Sequence, residues 1–154
     1  MRGRLLHRTM KLDAETISKL DPLAQAFLRK VRPVLSGGPY GERVTDRLQI
    51  TIPARSALVG DLEIYLDGDE ITMYLGHHTH CHFSLYMAEG DPDPEETTSA
   101  EAVKFLTDLL EDRVVMWSRT VDGKPTSGGS YYLGAEHTLR SSDADSFLWS
   151  GKRV

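Results

Sequence analysis

Residues 62–75 read Leu-Glu-Ile-Tyr-Leu-Asp-Gly-Asp-Glu-Ile-Thr-Met-Tyr-Leu. Apolar and polar side chains alternate on both sides of Asp67-Gly68, as is typical of strands that bury one face. Asp-Gly between two such runs favours a hairpin turn. A two-residue turn there pairs Ile64 with Ile71. A four-residue turn shifts the register by two and keeps the same faces, so the pattern leaves both registers open. The stretch therefore predicts an antiparallel hairpin at the centre of the fold.

Two further strands extend this hairpin into a meander. Residues 46–52 alternate in the same way before Pro53 and predict a strand ahead of the hairpin. After Gly76, the alternation over residues 79–87 predicts a strand behind it. The side chains expected on its core side are Cys81, Phe83, Leu85 and Met87.

Helix signals lie on both sides of the predicted meander. Asp13 can cap a short helix, and the apolar spacing after Asp21-Pro22 predicts a second helix over residues 22–32. Pro33 is expected to end that helix because proline cannot continue the hydrogen-bond ladder. Residues 98–101 read Thr-Ser-Ala-Glu, a capping box that predicts the start of a later helix after an exposed acidic loop.

The last third of the chain adds short strands. Residues 114–118 and 130–133 predict two of them, with a turn at Asp122-Gly123, and residues 147–149 are expected to dock as a terminal strand. Strands joined by short antiparallel connections predict an α+β fold. In this fold an antiparallel meander sheet carries the N-terminal helices and the one later helix on a single face.

The length and composition fit one domain over residues 1–154, with residues 1–11 as a flexible basic tail. No apolar run approaches the roughly 20 residues of a membrane helix, so no membrane partner is expected. The single cysteine excludes an intrachain disulfide. This cysteine usage predicts a reducing, cytoplasmic location.

Charge is distributed unevenly along the chain. Residues 1–55 carry a net charge of +6, residues 56–112 of −13 and residues 113–154 of +2. The acidic middle segment disfavours nucleic acid and favours cations or a basic protein partner. The alternative is that the basic first third folds over the acidic middle and neutralises it internally.

Residues 77–82 read His-His-Thr-His-Cys-His and include four of the six histidines. On a strand, His78, His80 and His82 share one face, and neighbours in this line are about 6.6 Å apart. Two such imidazoles can bind Zn or another transition metal. A complete site needs further ligands. The candidates for these are Glu63, Glu70 and His137.

The same run is also consistent with roles that need no metal. A solvated row of histidines beside carboxylates would be a weak pH sensor. Cys81 has the opposite parity from the histidines and fits a small buried side chain better than a nucleophile. No catalytic residue is therefore predicted, and an enzyme is less favoured than a binding protein.

The open sheet face is the candidate binding surface. By parity it carries Tyr65, Tyr74, Tyr86 and Glu63 together with the histidines. Aromatic side chains on an exposed face are typical of protein contacts. An uncovered face or edge of a sheet also allows a homodimer.

Three segments resemble known proteins: residues 76–83, residues 102–117 and Ser127-Gly-Gly129. Over roughly residues 60–133 the chain looks like a group of small uncharacterised bacterial proteins, some of them similar to immunity proteins of polymorphic-toxin loci. The resemblance implies a cytoplasmic α+β protein that binds and neutralises a toxin, and it carries over no functional residue.

Two hypotheses follow from the sequence. The first is a non-enzymatic protein-binding module, immunity-like, whose partner is a protein such as a basic toxin. The alternative is a transition-metal-binding protein or metal-dependent enzyme that uses the strand of His78, His80 and His82.

Overall fold

Two antiparallel sheets and three α-helices build the parts of the chain that the structure, a computed structural model, describes: residues 10–135 and 144–154. The helices are α1 (Ala14–Ser18), α2 (Pro22–Leu35) and α3 (Pro94–Leu110), and a 3₁₀ turn covers Leu85–Ala88. The first sheet consists of β1 (Gly41–Val44), β2 (Leu48–Ile52), β3 (Leu62–Asp67), β4 (Glu70–Leu75) and β5 (Thr79–Ser84). The second consists of β6 (Val114–Val121), β7 (Lys124–Tyr132) and β8 (Asp145–Phe147).

The first sheet is a meander in which the five strands lie in chain order, and the second has the order β7-β6-β8. The apolar stripe of α2 and the apolar face of α3 pack against one face of the first sheet, and the core lies between them. The largest fully buried members of that core include Leu23, Phe27, Leu28, Ile50, Ile64, Met73, Leu106 and Trp149. The predicted α+β class, with the helices on one face of an antiparallel sheet, is confirmed.

The central hairpin adopts the second of the two registers that the sequence allowed. Ile64 pairs with Met73, and pairing continues to Asp67 and Glu70, so Gly68 and Asp69 alone form the tip. Gly68 has φ +53°, a left-handed conformation that glycine adopts at low cost. The alternation predicted which side chains share a face of these strands, whereas the turn determines the pairing register.

Helix α2 runs past Pro33 to Leu35, so the predicted end at residue 32 is wrong. A proline near the C-terminal end of a helix removes only one hydrogen bond of the ladder. Leu35 is 5% exposed and joins the core, which favours helical geometry through the last turn.

Helix α3 starts at Pro94, four residues before the predicted capping box. The Asp93 side chain accepts the Glu96 N–H at 3.3 Å, and Pro94 takes the first helical position, where proline is favoured. Acidic residues in the first turn suit the helix dipole. The acidic, proline-containing segment expected to be a loop thus contributes the first turn of the helix.

Strand β5 ends at Ser84, whereas the sequence predicted a strand to residue 87. The Ser84 hydroxyl accepts the Tyr86 N–H and starts the 3₁₀ turn. Met87, expected in the core, is 79% exposed because the turn breaks the alternation.

The sequence did not predict strand β1, which lies before the predicted strand over residues 46–52. Its Glu42 is buried and forms two hydrogen bonds with the Arg32 guanidinium, at 2.6 and 2.8 Å. The Glu42 N–H also donates to the Met10 carbonyl, which ties the segment before α1 to the edge of the sheet. Residues 1–9 of the expected tail lie outside the described residues.

The two sheets approach each other at the start of β5. A Cβ atom on Gly128 of β7 would lie 2.5 Å from the His78 carbonyl oxygen, so only glycine permits this contact without a shift. Strand β7 begins at residue 124, well before the predicted residue 130, because its hairpin with β6 closes directly at Asp122-Gly123. No helix in the described ranges has the length and apolar character needed to cross a membrane.

Candidate functional site

The face of the first sheet that points away from the helices carries two cross-strand rows of side chains. From β2 to β5, the first row is Thr51, Glu63, Tyr74 and His80. The second row is Gln49, Tyr65, Thr72 and His82. Parity along each strand places these residues opposite the core residues.

Four rings on this face touch in sequence and form a ring strip, defined as Tyr65, Tyr74, His80 and His82. The ring centroids of Tyr65 and Tyr74 are 5.7 Å apart, those of Tyr74 and His80 5.6 Å, and those of His80 and His82 5.0 Å. The first and last pairs meet edge to face, a preferred aromatic arrangement. Tyr74 is 44% exposed and both histidines are exposed, so the strip presents ring surface to solvent.

Carboxylates flank the strip on both sides. The Tyr65 hydroxyl donates to Glu63 Oε2 at 2.7 Å, and this hydrogen bond, with burial as the second cause, raises the pKa of the phenol. At the other end, Glu70 Oε1 lies 2.8 Å from His82 Nδ1 and accepts from the Thr72 hydroxyl at 3.1 Å. Because the carboxylate is an acceptor, Nδ1 of His82 carries the proton.

His78 lies outside the strip and holds the two sheets together. Its Nε2 is 2.9 Å from the Leu58 carbonyl and its Nδ1 is 2.8 Å from the Ser118 hydroxyl. A carbonyl only accepts, so Nε2 donates and Nδ1 accepts from Ser118. The ring also contacts Phe147, with centroids 4.8 Å apart.

The three histidines predicted as metal ligands therefore do not converge. Both nitrogens of His78 are engaged, and the carboxylates of Glu63 and Glu70 contact Tyr65 and His82 rather than His80. Within residues 10–135 and 144–154, no group of three or more His, Cys, Asp or Glu residues is arranged to hold a metal. His137 lies outside the described residues. The adjacent pair His80 and His82 is what remains of the predicted site.

Cys81 points away from the strip and contacts the core. Burial raises the pKa of its thiol to about 12, so the thiol stays protonated at neutral pH. Reactive cysteines are thiolates in electropositive surroundings. The environment of Cys81 therefore fits a packing role, as its parity indicated.

Tyr86, predicted on the same face, is placed elsewhere by the 3₁₀ turn. It is 76% exposed and lines a cleft of about 360 Å³ with Asp69, Leu85 and Pro94. The other prominent cleft, of about 370 Å³, lies between α2 and the β3–β4 hairpin and includes Arg47 and Asp67. None of the four ring-strip residues lines either cleft.

Two members of this surface were missed by the sequence reasoning. Thr72 is buried on the open face between Glu70 and Tyr74 along β4, and parity alone would have found it. The Arg47 guanidinium lies 4.2 Å from the Tyr65 ring centroid and pairs with Asp67 at 2.7 Å. Arg47 has the same parity as Gln49 in the predicted strand over residues 46–52, so parity would have found it as well, although β2 itself starts only at Leu48.

Part of the basic first third does neutralise the acidic middle. Arg29 and Lys30 both pair with Glu96, and the hydrogen bond from Lys30 is the first cause of a lowered Glu96 pKa. Arg47 pairs with Asp67 in the same way. Glu63 takes part in no ion pair with any described residue, so a carboxylate remains without a cationic partner beside the ring strip.

The arrangement suits contact with another surface better than chemistry on a small substrate. Interfaces between proteins are enriched in tyrosine, whereas small-molecule sites are concave. The ring strip is a row of adjacent side chains on a sheet face, with hydrogen-bonding groups along its length. Comparisons of the chain with protein-family models, with curated proteins and with solved structures found no match.

Proposed function

We propose that the chain is a non-enzymatic protein-binding module that contacts its partner with the ring strip. The observation that carries this proposal is the continuous series of four rings, three of them exposed, on the sheet face opposite the helices. Burying aromatic side chains of this kind supplies much of the affinity of protein interfaces. The ring contacts also hold the side chains in place before binding, which lowers the entropic cost of association.

The charge of the chain supports a basic partner. The net charge is −5, the segment 56–112 carries −13, and carboxylates flank the strip at Glu63 and Glu70. Complementary charge speeds association and selects against acidic partners. An immunity-like role in the cytoplasm, with a basic toxin as partner, is the form of this function that we propose.

A cross-linking experiment tests this proposal. The photoreactive residue p-benzoylphenylalanine is placed at position 74 or, as the matched control, at position 86, and each variant is co-expressed with the product of a neighbouring toxin-like reading frame. Both positions hold exposed tyrosines, but only Tyr74 belongs to the ring strip. We expect a cross-linked complex from position 74 only. Failure of the two proteins to co-purify, or cross-linking from position 86 alone, would refute the proposal.

A further inference from the structure

A recurring arrangement in this molecule combines an aromatic ring, a cation above it and a carboxylate that pairs with that cation. It occurs three times among the described residues. The sets, with the cation-to-centroid and cation-to-carboxylate distances, are Arg47–Tyr65–Asp67 (4.2 and 2.7 Å), Lys104–Tyr132–Asp108 (5.5 and 2.7 Å) and Arg153–Phe147–Asp145 (4.8 and 3.5 Å). The ring attracts the cation through its quadrupole, and the carboxylate fixes the position of the cation.

Tyr74 and Glu63 supply two of these three components. They are register partners on β4 and β3 and share the open face, where directly opposed Cβ atoms lie about 5 Å apart. Among the residues that the structure describes, no Lys or Arg lies over the Tyr74 ring and no ion pair includes Glu63. The 44% exposure of Tyr74 leaves room for a group from outside.

We propose that an arginine side chain of the protein partner completes this set, with its guanidinium over Tyr74 and paired with Glu63. The inference rests on the proposed function and names the chemistry by which the ring strip recognises its partner. Arg47, Tyr65 and Asp67 show the same combination within the chain, with the Tyr65 ring on β3, the strand next to that of Tyr74. Arginine fits better than lysine because the planar guanidinium stacks on a ring and pairs with a carboxylate at once.

The contact can be isolated with short peptides. Acetylated and amidated tri-arginine is titrated into the full chain, with tri-lysine as the matched probe, and the ring resonances of Tyr74 and the backbone amide of Glu63 are followed by NMR. We expect saturable shifts at both positions with tri-arginine. We also expect binding to weaken by about fivefold or more in Glu63→Gln and in Tyr74→Leu, as the loss of a cation–π contact or its paired charge implies.

The control variant is Glu101→Gln, which removes an exposed carboxylate of α3 and should leave the affinity unchanged. Equal weakening by Glu101→Gln and Glu63→Gln would mean that the peptide follows net charge alone, and would overturn the inference. So would equal affinity for tri-lysine, or shifts confined to the acidic segment 89–96. Glu63→Gln is nearly isosteric and keeps an oxygen to accept from Tyr65, so its fold can be checked by urea denaturation.

Failure of the arginine contact can be distinguished from failure of the proposed protein-binding function. If position 74 still cross-links to the protein partner while tri-arginine shows no preference for Glu63 and Tyr74, the protein-binding role stands and the arginine contact is refuted. If a second copy of the chain is the species that cross-links at position 74, the surface is a dimer interface and the arginine contact with a foreign partner is also refuted.

Discussion

At the scale of single residues, three histidines that are close in sequence have different roles. His78 makes two hydrogen bonds that join the turn before β5 to the loop before β3 and to β6. His80 and His82 lie on the exposed ring strip. Parity predicted the shared face of the strand residues His80 and His82. Parity also placed His78 on that face, but that residue precedes β5 and bonds to Leu58 and Ser118, which are distant in sequence.

Replacing His78 should therefore destabilise the fold, whereas replacing His80 should not. We expect His78→Ala to lower the free energy of unfolding by about 2 kcal/mol through loss of two hydrogen bonds and a ring contact. His80→Ala should change it by less than about 0.5 kcal/mol, as an exposed position does. Urea denaturation measures both, and a larger effect for His80→Ala would contradict the assigned contacts.

Metal binding should depend on these histidines in a different order, with His80 essential and His78 dispensable. Because both nitrogens of His78 are hydrogen-bonded, we expect Zn²⁺ titrated into protein without a polyhistidine tag to shift the ring resonances of His80 and His82 and not those of His78. His78→Ala should leave this binding unchanged and His80→Ala should abolish it. Stoichiometric zinc in the purified protein that disappears in His78→Ala would show that the three histidines do form a site.

At the scale of the elements, alternation predicted the hairpin β3–β4 and strand β2, and apolar spacing predicted α2. The errors lie where one side chain or one distant contact decides a boundary. Ser84 ends β5 by accepting a backbone N–H, and Leu35 draws α2 past Pro33 into the core. Strand β1 depends on the buried pair of Glu42 and Arg32, which no local pattern reveals.

Helical spacing on α3 places Asp108 on the side that faces water, but the structure buries it. Asp108 is 5% exposed, and its carboxylate accepts from Lys104 at 2.7 Å, Tyr132 at 3.0 Å and Arg113 at 3.1 Å. It thereby fastens α3 to β7 and to the turn that follows the helix. Helical spacing identifies Lys104, four residues earlier on α3, but it could not identify Tyr132 and Arg113, which lie outside the helix.

These contacts make stability depend on pH. The hydrogen bond from Lys104 is the first cause that lowers the Asp108 pKa, so the folded state holds the carboxylate more strongly than the unfolded state does. The stabilisation is therefore present above the ordinary carboxyl pKa of about 3.9 and is lost as the pH falls through the lowered value. Asp108→Asn should cost about 2 kcal/mol at pH 7, and the difference from wild type should shrink below pH 4 in urea denaturation. A difference independent of pH would contradict this role.

Gly76 closes β4 in a conformation that other residues resist. Its φ is +62°, and an added Cβ would lie 1.9 Å from the Val59 carbonyl oxygen, which accepts the His77 N–H at 2.8 Å. Gly76→Ala should lower the free energy of unfolding by about 3 kcal/mol or prevent folding. Gly68→Ala is the matched control, with φ +53° and no atom near the added Cβ, and should cost about 1 kcal/mol. Equal costs in thermal denaturation would contradict the close approach.

At the scale of the whole molecule, the helices cover one face of the five-stranded sheet and leave the ring strip on the other. The fold class and the two faces followed from alternation. Parity predicted the shared face of the four strip members, and it wrongly added Tyr86 to them. The contacts between the rings could not be predicted, because they depend on the pairing register of β3, β4 and β5, which the sequence left open. Charge along the chain predicted a basic partner, and the ion pairs of Glu96 and Asp67 show that only part of the acidic segment is available for one.

Calorimetry of Tyr74→Ala and Tyr86→Ala with the co-purifying product of the neighbouring reading frame would show whether the ring strip is the contact surface. Loss of a central interface tyrosine typically costs about 2 kcal/mol, so we expect Tyr74→Ala to weaken binding by at least about tenfold. Tyr86→Ala, which removes an equally large exposed ring outside the strip, should change the affinity less than about twofold. An unchanged affinity in Tyr74→Ala would contradict the assignment of the ring strip as the contact surface.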